Sequence, residues 1–255
     1  MVSTGGMSIR SAFLGFYKKV QPVIAPGLQY SQAHYEQALS IHIGQGKDWM
    51  DLGCGHSLLP PWRAEQEQRL VARAKTLTGL DYDFAALQQN RIIHNRVRGD
   101  VSKLPFTDNT FDLVTSNMVF EHLQEPQIQM SEIFRVLKPG GTLIFHTPNK
   151  YGYGVLAVRL VPERLKKILT WILQGRKSED VYPTYYRINS SSMIRALAAR
   201  TGFGVKEINL IMSSATFVMI PPLMILELLW MRLLMTDSLR SLRTNIIAVL
   251  HKPAR

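Results

Sequence analysis

Strand-like and helix-like segments alternate between Lys47 and Pro148, and this alternation is the sequence feature that most constrains the fold. Stretches at 83–94 and 126–137 predict helices between short apolar runs. The alternation is typical of a parallel sheet with helices packed on both faces. We therefore predict a doubly wound α/β sheet whose buried strands include Trp49–Leu52, Leu77–Leu80, a weaker run around Val97, Phe111–Thr115 and Thr142–His146.

The segments outside this alternation extend the same fold. Residues 1–45 predict an N-terminal helical extension with breaks at Pro22 and Pro26. A chain of 255 residues is long enough for one full core, so we predict a single domain over 1–255. Its further parts are an insertion at 149–185, a helix near 190–201 ended by Gly202, a strand at Gly204–Met212, an apolar insertion at 213–240 and a last strand at Asn245–His251.

Composition narrows the location and the partners. Cys54 is the one cysteine, so an internal disulfide is excluded and a reducing compartment is favoured. The first residues lack the pattern of a secretory signal, which predicts a cytoplasmic protein. The formal net charge of +11 favours anionic partners, and both nucleic acid and anionic lipid qualify.

A glycine turn follows the first predicted strand. The sequence DLGCGHS at 51–57 places Gly53 and Gly55 directly after that strand. Glycine tolerates a positive φ and lets a ligand approach the backbone, and open α/β sheets bind ligands at the carboxyl ends of their strands. The turn alone is a weak signal, because many structural turns contain two glycines.

Acidic residues follow the next strands at the same predicted edge. Asp81 ends the second strand, where a carboxylate can accept hydrogen bonds from both hydroxyls of a ribose. Asp100 ends the third strand and precedes Val101, which together suit an adenine ring. Each acid could singly be a turn residue or a helix cap, but their order along successive strands favours a nucleoside site.

A nicotinamide dinucleotide fits this turn poorly. Its fingerprint requires a third glycine three residues after the second, and that position holds Leu58. Asp51 inside the turn would repel a pyrophosphate, whereas it would attract the amine of a cationic cofactor.

Four motifs between Trp49 and Asn149 occur in the order of one known family: DLGCGHS, LTGLDYD, GDVSKLPFTDNTFDLVTSNMVFEHL and EIFRVLKPGGTLIFHTPN. On these motifs, about two fifths of its length, the chain resembles the class I S-adenosylmethionine-dependent methyltransferases, especially the branch of quinone-biosynthesis and small-molecule methyltransferases. The resemblance implies a Rossmann-like sheet, mostly parallel with an antiparallel final strand, and S-adenosylmethionine as the cofactor.

The resemblance also implies residue roles. The first turn would hold the methionine part of the cofactor, Asp81 its ribose and Tyr82 one side of the adenine. Asp100 and Val101 would contact the adenine, and Asn117 would line the methionine end near the reactive methyl group. The implied cofactor-binding residues of the first turn are Asp51, Gly53, Cys54 and Gly55.

Two residues after the fourth strand are candidates for the chemistry. His122 is a candidate general base for a hydroxyl proton, and Glu121 a candidate partner. The alternative is that Glu121 supports the site and His122 packs against the sheet. Some quinone-pathway relatives carry an acid where this chain has Met118, and we predict no metal site.

Nucleic acid is not an expected partner. Methyltransferases acting on nucleic-acid amino groups often carry an Asn/Asp-Pro-Pro-aromatic motif after the fourth strand, and TSNM at 115–118 lacks it. The sequence also shows no recognisable nucleic-acid-binding module.

Two apolar segments indicate a membrane surface instead. Residues 162–175 predict a basic amphipathic helix with Trp171 suited to an interface. Residues 215–235 carry only Glu227 and Arg232 as charges, and Pro221 and Pro222 leave an apolar helix over 223–235. That helix would be roughly 20 Å long, short of the ~30 Å core of a bilayer. We expect both segments at the rim where the acceptor enters, although a lid, an apolar substrate pocket or a homodimer contact would also account for them.

The segment YPTYYRIN at 182–189 is the candidate acceptor-binding stretch. Tyr185 and Tyr186 could contact the acceptor, and Arg187 could hold a phosphate or carboxylate. Alternatively, Asn189 and Ser190 merely cap the next helix while the tyrosines pack against it.

These features together predict a cytoplasmic methyltransferase, peripheral on a membrane, that modifies a lipid-like or apolar small molecule. One alternative is a soluble small-metabolite methyltransferase whose apolar insertion forms a homodimer. Another is a non-catalytic cofactor-binding scaffold of the same fold, which the intact glycine turn, Asp81 and Asp100 argue against.

Overall fold

The computed structural model describes residues 9–93, 95–160 and 182–254, without the side chains of 9–10 and 157–160. Seven strands form one sheet in the order β3-β2-β1-β4-β5-β7-β6. Strands β1 to β5 run parallel to one another, and β7 is antiparallel to β5, as predicted. The strands are β1 (Lys47–Leu52), β2 (Ala74–Asp81), β3 (Asn95–Arg98), β4 (Phe111–Asn117), β5 (Leu137–Pro148), β6 (Gly204–Ile211) and β7 (Asn245–His251).

The described part of the chain contains eight α-helices, and local signals fix several of their ends. The Asp83 side chain accepts hydrogen bonds from two backbone N–H groups and so caps the helix that follows it. Gly202, with φ of 85°, ends the last helix before β6. The helices are α1 (Ile9–Ile24), α2 (Ser31–His42), α3 (Ala64–Val71), α4 (Phe84–Gln89), α5 (Pro126–Val136), α6 (Tyr153–Leu160), α7 (Ser191–Thr201) and α8 (Pro221–Leu234).

The core lies on both faces of the central strands. Residues 113–116 of β4 and 143–147 of β5 are buried without interruption. Because successive side chains of a strand point to opposite faces, continuous burial means that both faces are covered, as in a doubly wound sheet.

Three local predictions differ from the structure. The break at Pro22 is wrong, because α1 continues to Ile24 and the chain turns only at Pro26 and Gly27, where φ is 79°. The helix predicted over 83–94 ends at Gln89, where the Asn90 side chain accepts the next backbone N–H groups. The strand predicted at Thr142–His146 begins earlier, at Leu137, and the β4–β5 register shifts near this end.

The chain divides into two compact units. Residues 1–31, 151–182 and 210–244 belong to one, here called the helical unit, whose described core is built around Tyr17, Met224, Leu228 and Met231. Residues 32–150, 183–209 and 245–255 form the other, here called the sheet unit. The helix predicted over 162–175 lies outside the described residues, which do not include 161–181. Every described helix falls short of the length and apolarity needed to cross a bilayer.

Candidate functional site

The strand order places the glycine turn at a switch point of the sheet. From β1 the chain proceeds to β2 and β3 on one side and then returns to β4 and β5 on the other. Open α/β sheets bind ligands in the crevice at the carboxyl ends of such neighbouring strands. Leu52 pairs with Ser116 across β1 and β4, so the next residues, Gly53 and Asn117, lie level at the mouth of this crevice.

The two glycines of the turn are required for different reasons. Gly53 has φ of 66°, and a Cβ there would lie 2.3 Å from a methyl carbon of Val119. Gly55 has φ of 48°, and among the described residues no atom lies within 4 Å of the position of its Cβ. Gly53 therefore permits tight packing within the protein, whereas Gly55 leaves open space beside the backbone for a ligand.

Asp81 is held against the glycine turn by both of its carboxylate oxygens. Oδ2 accepts a hydrogen bond from the Gly55 N–H at 2.8 Å, and Oδ1 accepts one from the Asp83 N–H at 2.8 Å. A carboxylate offers about four acceptor positions, so this one keeps capacity for further donors such as ribose hydroxyls. The Asp81 carboxylate thus joins the glycine turn to the end of β2 and offers hydrogen-bond acceptors at this point.

Asp51 is buried beneath the same turn. Its Oδ1 accepts a hydrogen bond from the Thr115 hydroxyl, which also accepts one from the Trp49 indole N–H at 2.7 Å. Burial raises the pKa of Asp51 to about 8, and the nearby charges of Asp81 and Glu67 act in the same direction. The carboxyl group is therefore poised to ionise when a cation approaches.

The side chain of Cys54 packs in the interior of the protein. Its side chain is buried, and its Sγ lies 2.6 Å from where a Cβ on Gly79 would be. Burial raises the pKa of the Cys54 thiol above its ordinary value. The side chain is thus a packing element between β1 and β2, which leaves the Cys54 peptide as its part of the turn.

The residues implied for the adenine lie beside Asp81. The Gly99 N–H donates to the Asp81 backbone carbonyl at 3.1 Å, which places Asp100 and Val101 next to the end of β2. Asp100 is exposed, and its Oδ1 accepts the Ser102 N–H at 2.8 Å, so it also serves the turn. Tyr82 is 68% exposed, with the Arg98 guanidinium 5.6 Å from its ring centroid.

Asn117 belongs to a hydrogen-bonded chain at the end of β4. Its Oδ1 lies 2.8 Å from Nδ1 of His146, and its Nδ2 donates to Oε1 of Gln32 at 3.3 Å. Nε2 of His146 lies 2.9 Å from Nδ2 of Asn245. Burial lowers the pKa of His146 to about 4, so its ring is neutral near pH 7.

The candidate catalytic pair meets the candidate acceptor segment. The backbone carbonyl of Glu121 accepts hydrogen bonds from the Tyr185 N–H at 2.7 Å and the Tyr186 N–H at 3.2 Å. Nδ1 of His122 lies 2.7 Å from the Pro183 carbonyl oxygen, and its Nε2 lies 3.8 Å from Oε1 of Glu121. Burial raises the pKa of Glu121.

Arg187 is partly committed to local contacts. Its guanidinium donates to the Gln124 backbone carbonyl and lies 5.5 Å from the ring centroid of Tyr185. The Tyr185 hydroxyl in turn accepts from Nε2 of Gln124 at 2.8 Å. The candidate acceptor residues are therefore ordered by the segment that follows His122.

Two bracing residues were not identified from the sequence. Asn90, fully buried, donates through Nδ2 to the Gly55 carbonyl at 3.2 Å and accepts the Ile92 and Ile93 N–H groups. Glu67, also buried, accepts the N–H groups of Leu58 and Leu59. Their polarity was visible in the sequence, but their partners depend on tertiary packing. Among the described residues, no three histidine, cysteine or acidic side chains come together as metal ligands.

Known proteins match the central part of the sequence. Residues 50–145 match a family model described as a methyltransferase domain. A probable S-adenosylmethionine-dependent methyltransferase of Mycolicibacterium smegmatis is 35% identical over 112 residues, which are 43% of this chain and 41% of that protein. A demethylmenaquinone methyltransferase of Lactiplantibacillus plantarum is 34% identical over 113 residues, 41% of this chain and 46% of that protein. The chain thus spans less than half the length of these curated relatives.

Similarity of fold extends further along the chain. The crystal structure of an S-adenosylmethionine-dependent methyltransferase from Mesorhizobium loti matches with a TM-score of 0.52 at 17% sequence identity, covering 85% of this chain and 95% of that one. At this identity the match establishes the fold alone.

Proposed function

We infer that this chain, which contains a class I S-adenosylmethionine-dependent methyltransferase domain, transfers the cofactor's methyl group to a lipid-like or apolar small-molecule acceptor at a membrane surface. The observation that carries the methyl-transfer part is the glycine turn held against Asp81 at the switch point of the sheet. The acceptor part rests on the exposed apolar face of α8.

The residues of the crevice fit this cofactor. Open space beside Gly55 admits an adenosine against the backbone, and Asp81 keeps acceptor capacity for two ribose hydroxyls. Asp51 supplies a buried carboxyl whose ionisation a cofactor ammonium group would favour. We assign the adenine end to Tyr82, Asp100 and Val101, and the methionine end to Asp51, Gly53 and Asn117, as the resemblance implies.

The protein's part in the reaction is binding and orientation. When bound, S-adenosylmethionine supplies an electrophilic methyl group on a sulfonium sulfur. Val119 packs directly over Gly53, and Glu121 and His122 follow it within one short turn. The candidate base is thereby fixed relative to the crevice, which lowers the entropic cost of aligning the acceptor.

His122 has the geometry of a general base. A carbonyl oxygen only accepts, so the contact with Pro183 requires a proton on Nδ1 and leaves the lone pair of the neutral ring on Nε2. An acceptor hydroxyl can pass its proton to Nε2, and Glu121, 3.8 Å away, stabilises the resulting imidazolium. Tyr185, Tyr186 and Arg187 then contact the acceptor from the neighbouring segment.

The outer face of α8 supports an apolar partner. One side of this helix is buried in the helical unit through Met224, Leu228 and Met231. The other side exposes a row of large apolar side chains, spaced three or four residues apart along the helix. Monomeric soluble proteins rarely expose such a row. These side chains are Leu223, Leu226, Leu229, Trp230 and Leu233, which are 40–62% exposed.

The charge of the helical unit favours an anionic lipid surface over a neutral one. Its described residues include seven lysines and arginines against two acids, and one of those acids, Glu227, is buried. Lys18, Lys19, Arg232 and Arg240 are exposed. Apolar side chains and basic residues together are the combination with which interfacial helices bind anionic membranes.

The test measures methyl transfer and vesicle binding on the same protein. Purified protein is incubated with labelled S-adenosylmethionine and a bacterial lipid extract, and label is sought in the lipid fraction. In parallel, sedimentation with phosphatidylglycerol vesicles compares wild type with Leu226→Glu and Leu229→Glu. We expect each variant to weaken vesicle binding about tenfold or more, because a charge replaces a leucine that would be buried in lipid.

The matched control is Ile41→Glu, which replaces a 68% exposed apolar residue of the sheet unit. It should bind vesicles as wild type does. If the wild-type protein does not bind anionic vesicles and forms a dimer that Leu226→Glu disrupts, the apolar face of α8 is a homodimer contact and not a membrane contact. Transfer of label to water-soluble metabolites alone would contradict the lipid-like acceptor.

A further inference from the structure

The chain of hydrogen bonds at the end of β4 has a definite direction. Nδ2 of Asn245 approaches Nε2 of His146 at 2.9 Å and the sulfur of Met118 at 4.0 Å, so the amide nitrogen of Asn245 is the donor to the ring. His146 is neutral and carries one proton, which must then lie on Nδ1 and be donated to Oδ1 of Asn117. The next hydrogen bond runs in the same direction, because Nδ2 of Asn117 donates to Oε1 of Gln32.

Because the hydrogen bonds run in this direction, Gln32, the last side chain of the series, keeps an unused donor. Oε1 of Gln32 is used as an acceptor, and its Nε2 is buried without a hydrogen-bond partner among the described residues. A buried donor without a partner costs free energy, so its retention points to a ligand that completes it.

Gln32 lies at the cofactor crevice. It contacts Asn117, which is level with Gly53 at the switch point between β1 and β4. Three residues along the same face of α2, Tyr35 is buried and stacks on His146, with ring centroids 5.8 Å apart. Burial, and then the charge of Asp51, raise the pKa of Tyr35, which places this face of α2 beside Asp51.

Three N–H donors of the glycine turn are already used. The Gly53 and Cys54 N–H groups donate to the Leu80 carbonyl, and the Gly55 N–H donates to Asp81. The methionine end of the cofactor carries an ammonium group and a carboxylate. Asp51 is suited to the ammonium group, whereas the carboxylate requires a donor.

We propose that Gln32 is a cofactor-positioning residue whose Nε2 donates a hydrogen bond to the carboxylate of the cofactor's methionine part. The inference rests on the proposed function, since it takes the crevice as the cofactor site. The relay from Asn245 through His146 and Asn117 fixes the orientation of the Gln32 amide, so that it presents nitrogen and not oxygen to the ligand.

The test compares two ligands by titration calorimetry. S-adenosylhomocysteine carries the amino-acid group, and 5′-methylthioadenosine lacks it. Gln32→Leu should weaken S-adenosylhomocysteine binding about 10- to 100-fold, the effect of losing one hydrogen bond to a charged group, and leave 5′-methylthioadenosine binding unchanged. Gln32→Glu should weaken the former still more, because it opposes two carboxylates.

Gln37→Leu, an exposed glutamine on the same helix, is the matched control and should bind both ligands as wild type does. Equal weakening of both ligands by Gln32→Leu, unchanged binding of both, or tighter S-adenosylhomocysteine binding by Gln32→Glu would each overturn the assignment. If wild type bound neither ligand, the proposed function itself would fail, whereas binding that is independent of Gln32 would overturn this inference alone.

Discussion

At the scale of single residues, the Asp51 carboxyl beneath the crevice makes the stability of the protein depend on pH. Burial raises its pKa from 3.8 to about 8, so the folded protein holds this proton more tightly than the unfolded chain does. Its contribution to stability is therefore fully present below pH 3.8 and is lost as pH rises through about 8. The loss accumulates between pH 3.8 and about 8, so the buried carboxyl already reduces the free energy of unfolding at neutral pH.

Cofactor binding should consequently release a proton. A cofactor ammonium group beside Asp51 lowers the pKa of this carboxyl, so near pH 7 we expect a release approaching one proton for each S-adenosylhomocysteine bound, declining as pH rises through about 8. Calorimetry in buffers of different ionisation enthalpy measures this release directly. Asp51→Asn should abolish it, and a release that persisted in Asp51→Asn would assign the proton to another group.

From the sequence, candidate site residues could be identified where they follow the ends of predicted strands. Gly53, Gly55 and Asp81 were identified because a strand end and its turn determine where they lie. Gln32 was not identified, since its contact with Asn117 joins positions 85 residues apart. A polar residue on an amphipathic helix gives no sign of which distant side chain it will meet.

At the scale of elements, the strands were predicted well and the braces between them were not. Short buried apolar runs identify strands by themselves, as with β1 and β7. The end of α4 depends instead on Asn90, whose side chain replaces the helical hydrogen bonds of Ile92 and Ile93. Local hydrogen bonds of this kind, from backbone N–H groups to a side chain, compete with the helix that the sequence pattern predicted to be longer.

The brace at Asn90 should matter for both stability and binding. Asn90→Ala removes one hydrogen bond to the Gly55 carbonyl and two from backbone N–H groups, so we expect a loss of about 3 kcal/mol in the free energy of unfolding. S-adenosylhomocysteine should also bind more weakly, because the glycine turn loses a support. Chemical denaturation and calorimetry measure the two effects.

Gln89→Ala is the matched control, since this neighbouring amide is exposed at the end of α4. It should change the free energy of unfolding by less than about 0.5 kcal/mol. If Asn90→Ala unfolded at the same denaturant concentration as Gln89→Ala, the bracing role of Asn90 would be refuted.

At the scale of the whole molecule, the candidate residues for methyl transfer and those for contact with an apolar partner lie in different units. The sheet unit carries the glycine turn, both acids of the candidate nucleoside site and the candidate catalytic pair Glu121 and His122. The helical unit contains α8 and most of the exposed apolar surface described above. The sequence predicted the sheet and an apolar insertion. The chemical identity of the acceptor is determined by the residues that contact it and not by the fold.

The central claim is that the crevice at the switch point binds S-adenosylmethionine, and titration calorimetry with S-adenosylhomocysteine tests it most directly. Wild type should bind, and Asp81→Ala should weaken binding about 100-fold or more, because two hydroxyl contacts to a charged acceptor are lost. Asp237→Ala, which removes a 98% exposed acid, should bind as wild type does. No binding by folded wild type, or equal binding by Asp81→Ala, would contradict the account.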